Sequence, residues 1–205
     1  TVVVVIAASF SVATRYSVHK VGFEDTPVFP GFAEKAQTVD TIIVQDSKKI
    51  LTLNRKGGSW VIADRQNYRA SDEVISNLML GLSELRLREA KTKKPNLYER
   101  LQVEDVKERE AKSMLLTVKA RNQELASLIV GKENTDVAGS SNVGRYIRMP
   151  GQIQSWLASG RLDIPEGVSK WVKPEFLNVA SSREEQIEVR HPGGEIMLVS
   201  RAGQK

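Results

Sequence analysis

Three short runs in the first third of the chain, Thr41 to Gln45, Ile50 to Arg55 and Ser59 to Ala63, are β-branched or alternate apolar with polar residues. Asp46-Ser47-Lys48 and Lys56-Gly57-Gly58 separate them. Period two with turn residues between the runs predicts a three-stranded antiparallel meander. After Tyr68 the period lengthens: Val74, Ile75, Leu78, Leu82 and Leu85 recur at helical spacing. Ser71 is placed to cap such a helix, Asp72 and Glu73 suit its positive end, and Arg86 and Arg88 suit its negative end. One amphipathic helix packed on the sheet is therefore expected, with Ser76, Asn77, Ser83 and Glu84 on its wetter side. Lys91 to Pro95 reads as a basic loop and Leu97 to Leu101 as a short helical turn.

The second half is mainly β. Met114 to Ala120 and Leu125 to Val130 predict a hairpin around Arg121-Asn122-Gln123, and Gly131 to Gly144 a polar loop. Arg145 to Met149 should pair through Pro150-Gly151 with Gln152 to Trp156, and Leu157 to Trp171 reads as a short helix and irregular chain. An internal echo is the strongest feature of organisation. Pro30, Phe32, Ile42, Val44, Leu51, Leu53 and Arg55 return in order as Pro174, Phe176, Ile187, Val189, Met197, Val199 and Arg201. The first copy continues into Gly57, Gly58 and Trp60, whereas the second breaks off. A hairpin over Gln186 to Arg201, turning at His191 to Gly194, is expected, with an uncovered edge where the first copy has its third strand. The predicted class is α+β, with repeated antiparallel hairpin or meander units. Four stretches follow: 1–15, the end of an N-terminal span or signal segment; 16–36, a linker; 37–172, a first α+β repeat domain; and 173–205, the start of a second, truncated repeat.

The run from Val2 to Ala13 carries no charge. Alone it falls short of the ~20 apolar residues a bilayer requires, so the leading expectation is the remnant of a membrane span continuing upstream. A signal-peptide core cut after Ser11-Val12-Ala13 and a buried valine-rich strand are the alternatives. The polar, turn-rich stretch from Tyr16 to Gly31 then serves as the linker.

Composition narrows the chemistry. Apolar residues make up 40% of the 205, enough for a sizeable core. Thirty basic against 25 acidic residues, interspersed, give a net charge of +5 without the concentrated patch that nucleic-acid binding needs. The absence of cysteine removes disulfides, thiolate zinc sites and cysteine nucleophiles. The two histidines, His19 and His191, are assigned to a linker and a turn, and scattered carboxylates give no metal-ligand spacing. Gly139 to Gly144 lacks the Gly-Lys-Ser/Thr ending of a phosphate loop. Glu104-Asp105 and Glu184-Glu185 are adjacent pairs that point apart and read as solvated faces. Trp60 and Trp156 are expected over the core, and Trp171 at the start of the second repeat. Arg86, Arg88, Lys91, Lys93 and Lys94 form the densest basic set, and with Tyr146 and Trp156 they are the candidate interaction surface. No catalytic residue, metal, cofactor, nucleic acid or small-molecule substrate is expected.

Phe29-Pro30-Gly31-Phe32, Gly58-Ser59-Trp60-Val61, Tyr68-Arg69-Ala70-Ser71, Leu78 to Leu87, Leu97-Tyr98-Glu99-Arg100-Leu101, Leu128-Ile129-Val130-Gly131-Lys132 and Tyr146-Ile147-Arg148 together resemble the bacterial family named domain of unknown function 4340. The resemblance implies a single-span protein of the inner (cytoplasmic) membrane whose extracytoplasmic, periplasmic repeat domain accompanies ABC transporters related to gliding-motility components. It transfers no catalytic residue. The expected function is that of a non-enzymatic accessory protein binding an ABC transporter permease or another envelope protein. The rival expectation is an envelope glycan- or lipid-binding module using the surface aromatics and the basic loop, and an enzyme ranks below both.

Overall fold

Strand β1 (Thr26–Pro27) and the one-turn helix α1 (Phe32–Lys35) come first among the described elements, and this stretch already belongs to the core, because Val28 and Phe32 are buried. The computed structural model describes residues 26–134, 144–173, 186–190, 193–194 and 196–200. The chain divides into two compact units, the first ending at Val172 and the second beginning at Lys173.

In the first unit, β2 (Thr41–Gln45), β3 (Ile50–Lys56) and β4 (Ser59–Ile62) form the expected meander, followed by the short β5 (Tyr68–Arg69). Helix α2 (Asp72–Glu84) leads into β6 (Arg86–Ala90), and α3 (Tyr98–Leu101) precedes β7 (Met114–Ala120), β8 (Gln123–Asn134), β9 (Gly144–Arg148) and β10 (Ser155–Ser159). All pair antiparallel in one ten-stranded sheet ordered β1-β6-β10-β9-β8-β7-β2-β3-β4-β5. Strand alternation sends Ile42, Val44, Leu51, Leu53, Leu116, Val118, Leu128 and Ile147 to one face, where Ile75, Leu78, Leu82 and Leu85 complete the core. Val74 is only half buried. The opposite face carries a smaller cluster of Tyr98, Val103 and Ile129. Leu128, Ile129 and Val130 are therefore buried in succession, the mark of a strand covered on both sides.

Helix α2 starts as expected: the Ser71 hydroxyl accepts from the Val74 N–H, and the Ser71 N–H donates to the Trp171 carbonyl at 2.8 Å. Trp171 is buried, its indole N–H donating to the Pro165 carbonyl. Its place is thus against the helix start of the first unit. Gly81 lets the helix approach the chain at Arg161, whose carbonyl oxygen a β-carbon would meet at 2.3 Å.

Four local expectations change. The helix stops at Glu84 and Leu85 is extended, so Arg86 and Arg88 lie on β6 and not at a helix end. Pairing of β6 with both β1 and β10 outweighs the local helical period there. The linker reading fails from Thr26 onward, because β1 pairs with β6 and the Val28 N–H donates to the Leu85 carbonyl. The loop expected at Gly131 is strand: β8 continues across a bulge to Asn134. Finally, β10 runs to Ser159, and the helical content after it is a 3-10 turn at Val168–Trp171.

The second unit contains the hairpin of β11 (Gln186–Arg190) and β12 (Ile196–Ser200), as the alternation predicts. Its register sets Ile187 opposite Val199 and Val189 opposite Met197. In β2–β3, Ile42 lies opposite Leu53 and Val44 opposite Leu51. The Arg190 guanidinium pairs with Glu188 along β11. No helix among the described residues is long and apolar enough to cross a membrane; residues 1–25, with the uncharged run, lie outside them.

Candidate functional site

The residues of the predicted interaction surface separate onto the two faces of the sheet. Tyr146 lies opposite Leu157, and Ile147, a core residue, opposite Trp156. Directly opposed residues share a face, so Trp156 packs against the edge of the core while Tyr146 stands on the other side. There the sheet order gathers what the sequence keeps far apart. The Lys91 and Lys132 ammonium groups each lie 6.0 Å from the Tyr146 ring centroid, and the Asn134 amide donates to its hydroxyl at 3.1 Å. Lys91 also pairs with Glu89 at 2.7 Å. The basic loop is fixed by buried Ser155: the Lys91 N–H donates to its carbonyl, its N–H donates to the Thr92 carbonyl, and its hydroxyl accepts from the Thr92 N–H. Lys93 and Lys94 beyond it are exposed; Arg86 and Arg88 are half-buried.

Arg148, named above only as part of the Tyr146-Ile147-Arg148 motif, holds the segment after α3 on this face. Its Nε donates to the Val103 carbonyl at 2.8 Å and its Nη1 to the Gln152 carbonyl at 3.0 Å, while Nη2 lies 3.2 Å from Asp105 Oδ1. Its guanidinium stacks 4.6 Å from the Tyr98 ring centroid. Such a buried fork suits Arg and not Lys. Gly131 makes the close packing possible: a β-carbon would meet the Leu101 carbonyl oxygen at 2.3 Å and that of Gln102 at 2.8 Å. Glu104, expected on a solvated face, is instead buried, its carbonyl accepting from the Ser113 hydroxyl.

Two adjoining cavities open beside the β8 bulge. The larger, about 460 Å³, is bounded by Met114, Val130, Lys132, Arg145, Ile164 and Lys170 among others. The smaller, about 220 Å³, reaches Val44, Leu51, Val168 and Trp171. Lys112, Met114, Pro165 and Glu166 line both, so the two form one groove. Nothing in the sequence pattern marks it, since its walls come from β2, β3, β7, β8, β9 and the segment at 163–171.

Among the described residues, no three His, Cys, Asp or Glu side chains converge as metal ligands. His19, His191, Glu184, Glu185 and residues 139–143 of the glycine-rich stretch lie outside the described residues.

Among the described residues, the first unit is α+β, a ten-stranded antiparallel sheet with the amphipathic helix α2 packed into its core, and the second unit holds a two-stranded hairpin. The chain belongs to the family described as Domain of unknown function (DUF4340), whose model matches residues 60–205. No curated protein and no solved structure matches it.

Proposed function

We propose that the protein is a non-catalytic, membrane-tethered accessory protein of an ABC transport system, with its folded part outside the cytoplasm and its β11–β12 hairpin docking onto a transporter subunit. The observation that carries this reading is the exposure of β12. Ile196, Met197 and Leu198, three successive apolar residues, are each more than half exposed. The register of β11–β12 repeats that of β2–β3, in which Leu51, the counterpart of Met197, is 6% exposed against 52%. A hairpin of the same pattern is thus covered in the first unit and open in the second, which supports both the repeat and a partner for its second copy. The uncharged stretch from Val2 to Ala13 supports the tether.

Affinity purification of the full-length protein from detergent-solubilised membranes tests this. A transporter permease or ATPase subunit should be enriched over a control bait, and Met197→Asp with Leu198→Asp should abolish the enrichment. Recovery of the full-length protein in the soluble fraction, or enrichment that the two substitutions leave intact, overturns it.

A further inference from the structure

The groove beside the β8 bulge has two chemically different ends. At the larger end, Glu133 is taken up by Arg145 and Asp163 by Arg161; at the smaller, Asp46 pairs with Lys49. Among the described residues, Lys112 and Lys170 remain as groove-lining cations outside any ion pair, against Glu166 alone, while the Lys132 ammonium lies by the Tyr146 ring. That end carries an excess of positive charge beside an apolar floor of Met114, Val130 and Ile164. The far end is walled by Val44, Leu51, Val168 and Trp171. A bulge between Val130 and Glu133 breaks the β8–β9 register at the basic end, a device that re-aims side chains next to sites.

We propose that this groove binds a single-chain anionic amphiphile. Its carboxylate or phosphate head lies between Lys112 and Lys170, and its apolar chain runs over Met114 and Pro165 toward Val44, Leu51 and Trp171. Charge complementarity selects the head. The backbone selects the chain: β2 is paired on one side with β3 and on the other with β7, so it has no free edge at the apolar end. A peptide laid there would bury amide groups without strand partners, whereas a methylene chain has none to satisfy. The volume of the larger cavity falls within the ~300–1,000 Å³ usual for small-molecule sites. Met114, at the junction of the two ends, offers the adaptable surface that variable chain lengths need.

Calorimetric titration of the purified protein with laurate and with dodecyl phosphate, both below their micelle thresholds, tests the proposal, and the tighter of the two identifies the head group. One equivalent should bind per chain. Dodecanol and inorganic phosphate, each carrying half of the recognised chemistry, should bind at least about tenfold more weakly. Lys112 and Lys170 are exposed, so the double variant Lys112→Gln, Lys170→Gln should keep the wild-type melting temperature while losing at least about tenfold in affinity for the amphiphile. Dodecanol binding as tightly as the amphiphiles overturns the anionic head, and inorganic phosphate doing so overturns the chain. Unchanged affinity in the double variant, or no binding by the wild-type protein, overturns the site.

Discussion

Asp40 shows how much one half-buried side chain organises. Its carboxylate accepts from the Arg121 N–H at 2.6 Å and from the Thr41 hydroxyl at 2.9 Å, while its own N–H donates to the Lys119 carbonyl and its carbonyl accepts from the Arg55 N–H. It thereby ties the start of β2 to β3 and to the β7–β8 turn. That turn holds Arg121 and Asn122 at φ values of 48° and 66°, a conformation that two-residue hairpin turns require and that Arg adopts reluctantly. The Arg121 N–H first, and the Thr41 hydroxyl second, stabilise the charged form and hold the Asp40 carboxyl below its ordinary value of 3.8. A carboxylate with a lowered folded value stabilises the fold fully above the unfolded value and loses that contribution as pH falls through the folded one. A carboxyl-carbon NMR titration should therefore place the Asp40 midpoint below 3.8. A midpoint at or above that value would show that the turn does not hold the carboxylate.

At the scale of elements, helix α2 was legible because its two ends and its buried face are written locally. Ser71 caps it, and Ile75, Leu78 and Leu82 face the sheet with Ser76 and Asn77 exposed. Leu78 is fully buried, so Leu78→Ala should cost about 2–5 kcal/mol in denaturant unfolding. A loss under about 0.5 kcal/mol, the range of ordinary surface changes, would place Leu78 outside the core. The strand that follows was not legible. Arg86-Leu87-Arg88 continues the helical pattern well enough locally, and it becomes β6 because β1 and β10 offer it backbone partners on both edges. The meander β2–β4 and the hairpin β7–β8 could be placed because alternation and turn residues coincide. The extension of β8 past Gly131 could not, since a bulge interrupts the period there.

The whole molecule depends on a sheet order that runs far from chain order. Placing β6 next to β10, and β10, β9 and β8 side by side, brings Lys91, Tyr146 and Lys132 together across four of the first unit's ten strands. Sequence reading could name Lys91 and Tyr146, since a basic loop and an aromatic strand residue stand out, but not their neighbourhood, and it could not separate Trp156 from Tyr146 without the register. The groove was invisible for the same reason, its lysines being single residues on separate segments. The hairpin β11–β12 was legible through its likeness to β2–β3, and its exposed strand carries the functional account. Footprinting of side chains with a photo-activated carbene, compared between intact membranes and the detergent-purified protein, tests that account most directly. Labelling of Met197 and Leu198 should fall sharply in the membranes, while Leu80 and Ile153, which are as exposed on the first unit, keep theirs; equal labelling of Met197 and Leu198 in both states would contradict the docking of β12 onto a partner.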